Sequence, residues 1–358
     1  MTDTMIQLAA YTHDEDGWGR QSRGFAEALN CYERTKLVKL GRRAGVARSL
    51  WERARPSWTD SVGITLGLVE YTRVLGTRYR VPYYIGETTR IPRHRAYFLR
   101  RAEMVWAASQ WGRRVLEANG VAADKIRVVP EGVDTRIFAP PPAGQRDTEV
   151  FRFLCVGKWE ERKGTADLIR AFLQTFHRDE PVELVMHCGG TAPMHEIKRK
   201  IAECSGTGGP RVVASEPVSL PKLVELMQRC NAFVLPTRGE GWGLPILEAM
   251  ASELPCIVTD YSGLKEFANE DNCFLVRVES MVPVNDPKQY EVRFEWGEWA
   301  QPDLAHLRSL MRFVYENRGI ALNKAKRARE EAVRLWSWDR AAQTAMAHIR
   351  ELRAGGRR

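Results

Sequence analysis

The sequence predicts an α/β protein of two domains, each a parallel sheet with helices on both faces. Three observations predict it. Short apolar runs alternate with helical stretches along the chain, and several of the runs end on Gly-containing turns. The chain has 358 residues, with 44% hydrophobic and 28% charged, so two domains of ordinary size can each bury a core. A Pro-rich piece from Pro130 to Pro142, with neither helical nor strand period, separates the two halves.

Composition narrows the function classes. No stretch approaches the ~20 apolar residues of a membrane span. Met1-Thr2-Asp3-Thr4 lacks the basic region and apolar core of a signal peptide, so a cytoplasmic protein is expected. The seven cysteines, at 31, 155, 188, 204, 230, 256 and 273, form no C-x-x-C pair, and several fall in apolar runs. They read as small buried hydrophobes, with neither a metal site nor disulfides expected. The net charge of +9 suits an anionic ligand, and also an anionic surface such as a membrane leaflet or nucleic acid. The arginines are spread without a long block, which fits a generally basic enzyme better than a dedicated nucleic-acid binder.

In the first half, Ile6 to Ala10 predicts a strand, and a helix is expected from about Gln21 to Asn30. The loop between them, Thr12 to Arg20, contains Gly17 and Gly19. A Gly-x-Gly between strand and helix lets a ligand approach the backbone closely, although a tight turn uses the same residues. Arg20 to Arg23 does not continue it into a dinucleotide fingerprint. Lys36–Leu40, Gly63–Leu68 and Val81–Ile85 are the next strands. The segment from Gly86 to Pro92 leaves the carboxyl end of the last one, where such sheets hold ligands, making Glu87 and Thr88 candidate ligand contacts.

Arg90, Arg93, Arg95, Arg100 and Arg101 then surround Tyr97, Phe98 and Leu99. This pattern fits a basic amphipathic helix on an anionic leaflet, and equally a solvated helix whose apolar residues pack inward. His13 and His94 sit in no catalytic motif and read as surface histidines. Met104–Ala108 is a strand, Ser109 caps the helix that follows, and Lys125–Val129 is the last strand before the break.

The second half opens with strand Phe151–Val156. The turn Gly157-Lys158-Trp159-Glu160-Glu161-Arg162-Lys163-Gly164 leads into helix Thr165–Gln174. Lys158 and Lys163, at a strand-to-helix turn, can reach one diphosphate as geometry-tolerant point charges; a solvated charged loop is the plainer reading. Strand Val182–His187, helix 193–204, strand 211–213 and helix 220–229 continue the alternation.

The stretch that organises the chain comes next. Ala232–Leu235 is an apolar strand, and Leu244–Ser252 a helix with Pro245 in its first turn. Between them, Gly241, Trp242 and Gly243 lead to Leu244 at a helix N-terminus, an anion site by geometry and dipole. Glu240 in the turn and Glu248, about two turns into the helix, can both face the crevice beyond the strand. A phosphate cradle flanked by two hydroxyl-binding carboxylates matches the ribose, diphosphate and sugar of a sugar nucleotide. Strand 256–258 and the turn Thr259–Gly263 follow. Residues 277–300 read as irregular, a lid or a longer connection; helices are expected over 303–317 and 321–335, and a last one from Trp336.

The run Glu240-Gly241-Trp242-Gly243-Leu244-Pro245-Ile246-Leu247-Glu248-Ala249-Met250-Ala251 resembles the E-x7-E signature of the retaining glycosyltransferases of family 4, commonly EGFGLP-x-x-E-A-M-A. Val128 to Pro140 is similar to the run that closes the first domain in that family. The resemblance is strong over the second domain and weaker over the first. It implies a GT-B fold: two Rossmann-like domains facing across a cleft, the final helix crossing back to the first domain. The bounds expected are 1–145 for an acceptor domain, 146–335 for a donor domain and 336–358 for the crossover helix and tail.

The same resemblance implies retaining transfer of a sugar from a nucleotide-sugar donor to a hydroxyl acceptor. Gly17 and Gly19 look like the family's first loop. Lys163 fits the Lys of its phosphate-binding turn, while Lys158 stands where Arg is commoner. Glu240 would hold donor-sugar hydroxyls and Glu248 the ribose; Ser215 to Val218 would lie beside the base. Glu253 departs from the usual small residue at the helix exit. No metal or other cofactor is implied, and no Asp-x-Asp motif is present. A nucleotide-sugar epimerase, a phosphorylase and a non-catalytic sugar-nucleotide-binding subunit are rival readings on the same fold. A lipid-linked glycan comes first among acceptors and a soluble small molecule second. Peripheral contact with an anionic membrane is a further partner to test, with nucleic acid last.

Overall fold

The computed structural model describes residues 5–10, 17–39, 60–67, 69, 75–142, 149–189, 193–205, 209–216 and 218–355. The chain divides into two compact units. The first comprises Met1–Gly132, Glu295–Gly297 and Trp336–Arg358, the second Val133–Phe294 and Glu298–Leu335.

The first unit is built from β1 (Ile6–Ala10), α1 (Gly17–Asn30), β2 (Thr35–Lys39), β3 (Val62–Leu66), β4 (Tyr79–Tyr84), α2 (Arg93–Arg100), β5 (Val105–Ala107), α3 (Gln110–Ala118) and β6 (Ile126–Val128). Its strands form one sheet in the order β2-β1-β3-β4-β5-β6, every pairing parallel. β3 and β5 are buried at every position, as strands covered on both faces must be. Ser109 caps α3, its hydroxyl accepting from the Gly112 N–H at 3.0 Å.

Two expectations change here. α1 starts at Gly17, so Gly17 and Gly19 lie in its first turn and not on a free loop. The preceding Tyr11–Asp16, with His13, and the end of the expected second strand at Leu40 lie outside the described residues. On α2, Ala96 and Leu99 are buried while Arg93, Tyr97 and Arg100 are exposed, as is Arg101 just past its end. Arg100 spends its guanidinium on the Asn119 carbonyl, and Arg95 lies over the Trp296 ring at 5.4 Å.

The second unit contains β7 (Phe151–Lys158), α4 (Thr165–Thr175), β8 (Val182–Gly189), α5 (Met194–Ser205), β9 (Arg211–Ala214), α6 (Leu220–Arg229), β10 (Ala232–Leu235), α7 (Leu244–Ala251), β11 (Cys256–Thr259), β12 (Phe274–Val276), β13 (Val278–Pro283), β14 (Glu298–Pro302), α8 (Leu304–Glu316) and α9 (Arg318–Leu335). The sheet order β12-β11-β10-β7-β8-β9 places β10 and β7 side by side at its centre. Strands β7 to β12 are parallel throughout. The loops after β7 and β10 therefore leave the same end of neighbouring strands, and this brings the two charged turns together.

The segment 277–300, expected to be irregular, instead holds two antiparallel strands, β13 and β14. α10 (Trp338–Gly355) completes the first unit. It packs on α1 where Gly24 leaves room for the Trp338 ring; a Cβ at Gly24 would lie 2.5 Å from Trp338 Nε1. Gly132 is needed for the same reason, since its Cβ would come within 2.3 Å of the Trp338 main-chain nitrogen. Tyr32 with Asp339, at 2.6 Å, fixes the start of α10, and Arg353 with Glu33, also at 2.6 Å, its far end.

Candidate active site

The carboxyl end of β7 supplies the first wall of the site. β7 runs through Lys158, two residues further than the apolar pattern indicated, so Lys158 ends a strand and does not begin a turn. A short 3-10 turn, Glu161–Lys163, then brings Arg162 and Lys163 inward, and both are buried. Gly164 follows at φ 65°, and its Cβ would lie 2.4 Å from the Pro236 carbonyl oxygen. Only glycine fits that combination of left-handed backbone and close approach.

The second wall is the loop from Pro236 to Gly243, after β10. It is stitched to the first by main-chain and side-chain bonds. The Arg238 N–H donates to the Arg162 carbonyl at 2.7 Å, and Arg162 Nη1 donates to the Gly239 carbonyl at 2.7 Å. From the third side, the turn after β11 supports Glu240. The Glu240 N–H donates to Ser262 Oγ at 2.9 Å, and the Gly263 N–H donates to the Glu240 carbonyl at 3.0 Å.

At the centre, Glu240 Oε1 accepts three hydrogen bonds: from Lys163 Nζ at 2.7 Å, Thr237 Oγ1 at 2.8 Å and Arg162 Nη1 at 3.0 Å. Arg162 Nη2 reaches the buried Glu160 at 3.1 Å. Glu240 is 4% exposed. Burial pushes its carboxyl up, but the Lys163 and Arg162 charges and the bonds from Lys163 and Thr237 outweigh it, holding Glu240 below the usual carboxylate range. Oε2 has no donor among the described residues, and Lys163 bonds no other group there. An ammonium carries three N–H donors, so a buried one with a single acceptor suits an anionic ligand.

α7 starts directly after this loop. Gly243, at φ 107°, is its N-cap, and the N–H groups of Gly243 and Leu244 have no acceptor among the described residues. Gly241 is buried beside them, and Trp242 is buried with its ring packed at a tilt on Phe267, 5.2 Å between centroids. Glu248 is buried in the second turn of α7. Arg329 fixes the far end of this helix by donating to the Ala251 carbonyl, and also to those of Phe138 and Thr135.

The structure thus brings Lys163, Glu240 and the 241–244 turn together. Lys158 meets the cluster at its rim through Glu160, its half-exposed side chain placing Nζ 3.9 Å from that carboxylate. Gly17 and Gly19 belong to the first unit. There Glu87 is half-buried, Thr88 is buried with its hydroxyl donating to the Arg90 carbonyl at 3.0 Å, and His94 is exposed. In the 215–218 turn, Ser215 Oγ lies 3.1 Å from His187 Nδ1, and Pro217 lies outside the described residues. Arg162, Thr237 and Glu160 complete the charged cluster and were not singled out from the sequence.

Among the described residues, no group of His, Cys, Asp and Glu is arranged to hold a metal, and no helix is long and apolar enough to cross a membrane.

The family described as glycosyl transferases group 1 matches residues 150–291. A GDP-mannose:cellobiosyl-diphosphopolyprenol alpha-mannosyltransferase from Xanthomonas oryzae pv. oryzae is 31% identical over 158 residues, 43% of this chain and 40% of the relative. A GDP-mannose-dependent alpha-(1-6)-phosphatidylinositol monomannoside mannosyltransferase from Mycobacterium tuberculosis is 31% identical over 181 residues, 46% of this chain and 45% of the relative. The chain thus spans less than half the length of these relatives.

Solved structures resemble it over almost its whole length. The sucrose-phosphate synthase of Thermosynechococcus elongatus superposes with a TM-score of 0.73 at 18% identity, covering 98% of this chain and 100% of the other. Anabaena HepE, in complex with UDP-glucose, gives a TM-score of 0.73 at 14% identity, covering 97% and 99%. The fold is accordingly GT-B, and within it residues 150–291 match the glycosyl transferases group 1 family.

Proposed function

We propose that the chain is a retaining glycosyltransferase, moving a sugar from a nucleotide-sugar donor to a hydroxyl acceptor. The observation that carries this reading is the buried Lys163–Glu240 pair beside the N-terminus of α7. Among the described residues, Lys163 and the N–H groups of Gly243 and Leu244 have unused donors, and they suit the donor diphosphate. In the reaction the bond between the anomeric carbon and the diphosphate oxygen breaks, and its electron pair goes to the diphosphate. A bond forms from the acceptor oxygen to the anomeric carbon, and the acceptor hydroxyl's proton passes to the departing diphosphate oxygen. Negative charge grows on the leaving group, and preorganised donors stabilise it most in the transition state.

Glu240 Oε1 is occupied by the protein, which leaves Oε2 to accept a donor-sugar hydroxyl. Glu248 would accept from the ribose. Lys158, at the rim, assists the phosphates by charge alone. Gly17 and Gly19 would let the backbone at the start of α1 approach the donor. Residues 1–145 would serve as acceptor domain and 146–335 as donor domain. No enzymic nucleophile is assigned, because the retaining-glycosidase scheme needs two carboxylates flanking one bond, whereas Glu240 and Glu248 serve distant parts of the donor.

The names of the relatives guide the choice of substrates. GDP-mannose is the donor in two of them and UDP-glucose the ligand of HepE, so GDP- and UDP-sugars come first. Polyprenol- and phosphatidylinositol-linked acceptors in those names support a lipid-linked acceptor here. The exposed Arg93 and Tyr97 of α2, with Arg101 at its end, fit weak contact with an anionic leaflet. Co-sedimentation with anionic and neutral vesicles at low salt tests this; equal binding to both ends the membrane reading, and competition by DNA would favour nucleic acid.

A panel of nucleotide sugars screened by thermal shift, followed by turnover, tests the main reading, since a bound donor stabilises by mass action. Stabilisation by one donor, and its transfer to an acceptor in a reaction abolished in Glu240→Ala, is expected. Isomerisation of the donor alone, or an absolute need for inorganic phosphate, would replace it by the epimerase or the phosphorylase.

A further inference from the structure

Arg238 lies between the two turns of the site, yet none of the proposed chemistry uses it. It is 7% exposed. Its Nη2 donates to Asp167 Oδ2 at 2.8 Å, at the start of α4. Nη1 donates to the main-chain carbonyl and the carboxylate of Glu161, in the turn that carries Arg162 and Lys163. Nε donates to Gln301 Oε1 at 3.1 Å, on β14. Its main chain is also engaged: the carbonyl accepts from the Ala300 N–H at 3.0 Å. One side chain therefore spans the cationic turn, the first turn of α4 and β14, from a position two residues before Glu240.

A guanidinium is suited to this because its donors form a rigid planar fork, where an ammonium offers a single point. Buried, it is stable only if its charge and its N–H groups are matched, and Asp167 and Glu161 match them. Lys163 and Glu240 are 77 positions apart in the chain, so their contact depends on the two turns staying in register. Misplacement by about 1 Å in such a site can cost on the order of a hundredfold in rate.

We propose that Arg238 is a positioning residue: its fork clamps the Glu161–Lys163 turn to the Glu240 loop and so sets the Lys163–Glu240 contact. Its part in catalysis rests on the glycosyl-transfer reading, but its structural effect can be measured without any substrate. Two variants of the full chain test it. Arg238→Lys keeps the charge and pairs with one carboxylate but cannot span the segments. Arg238→Gln/Asp167→Asn removes both members of the main ion pair, so no carboxylate is left buried against a missing partner.

The readout is competitive acylation of lysines in the unliganded protein, followed by mass spectrometry, with the half-exposed Lys158 as internal reference. The accessibility of Lys163 relative to Lys158 should rise about tenfold in both variants, the factor expected when a hydrogen bond to a charged group is lost. Where the wild type transfers sugar, kcat should fall by a similar factor with the acceptor KM unchanged. Wild-type protection of Lys163 in folded Arg238→Lys would overturn the proposal, because charge alone would then suffice; should the double variant fail to fold, this single variant decides. A chain that turned over no nucleotide sugar, yet exposed Lys163 in both variants, would sink the functional reading and leave the clamp standing.

Discussion

Lys163 Nζ lies 2.7 Å from Glu240 Oε1, and both side chains are buried. The pair puts a cation where a diphosphate can use it and a carboxylate where a sugar hydroxyl can, without leaving either charge unmatched in the protein. Arg162 shares the same oxygen at 3.0 Å and turns its other nitrogen to Glu160. The cluster thus holds two cations against two carboxylates before any ligand is considered, and a diphosphate would then draw on the Lys163 donors that remain.

Lys163→Ala should lower turnover far more than Lys158→Ala. The removal of one preorganised donor to a developing charge is worth about 10²–10³ in kcat. Lys158, half exposed and 3.9 Å from Glu160, should give a much smaller loss. Steady-state rates at saturating donor decide; equal kcat for wild type and Lys163→Ala would take this lysine out of the mechanism.

Acid should destabilise the protein through Glu240. Its carboxyl is held down in the folded state, since the Lys163 and Arg162 charges outweigh the upward push of burial. The group therefore contributes stability that is fully present above the unfolded carboxylate value, about 4.3, and is lost as pH falls through its lower folded value. The Tm advantage of wild type over Glu240→Gln should be flat from pH 7 to about pH 5 and shrink below about pH 4. A constant difference down to pH 3 would show that Glu240 is not depressed.

Glu248→Ala should weaken binding of a nucleoside diphosphate by ~1.5–3 kcal/mol, the range for hydrogen bonds to a charged group. Calorimetry with UDP and GDP measures it. Unchanged affinity for both would mean that Glu248 touches no ribose.

The elements that carry the site were legible because local and tertiary signals agree there. The residues of β10 and α7 are apolar or small almost throughout, Pro245 marks the first turn, and glycines mark the loop, so period, breakers and burial point the same way. The arms of the fold were less so. β13 is mostly exposed along its length, so Val278–Pro283 shows no hydrophobic period to read. Gly17 and Gly19 carry turn chemistry that the helix overrides.

Arg162 was hidden for a different reason. It sits in a run of charged residues, Glu160 to Lys163, which has the composition of a solvated loop. What buries it is a partner 78 positions away, and no local pattern encodes that. Thr237 and Glu160 bond to near neighbours in the chain, Glu240 and Arg162, but neither has a composition or period that marks it as buried. The pairing of the two turns follows from β7 and β10 lying side by side, which only the sheet order supplies.

Two residues other than glycine adopt positive φ, Glu253 at 57° and Ser262 at 60°, among those described. A side chain in this region costs about 1–2 kcal/mol, so each position asks what holds it there. Glu253 follows the C-cap Ser252 of α7, where the Leu254 N–H donates to the Ala249 carbonyl at 3.0 Å, a helix exit at which glycine is the usual residue. Ser262 instead accepts the Glu240 N–H through its hydroxyl at 2.9 Å. The two glycine substitutions should therefore part company. Glu253→Gly relieves strain of about 0.5–1 kcal/mol, offset in part by losing the Glu253 charge that faces Arg329, and should leave kcat unchanged. Ser262→Gly relieves the same strain but leaves the buried Glu240 N–H without its acceptor, at about 1–3 kcal/mol. It should come out no more stable than wild type and slower, and Ser262→Ala, which keeps the strain as well, should be the least stable of the series. Thermal melts and rates at saturating donor separate the cases; a Ser262→Gly enzyme with full kcat would show that the hydroxyl does not hold Glu240 in place.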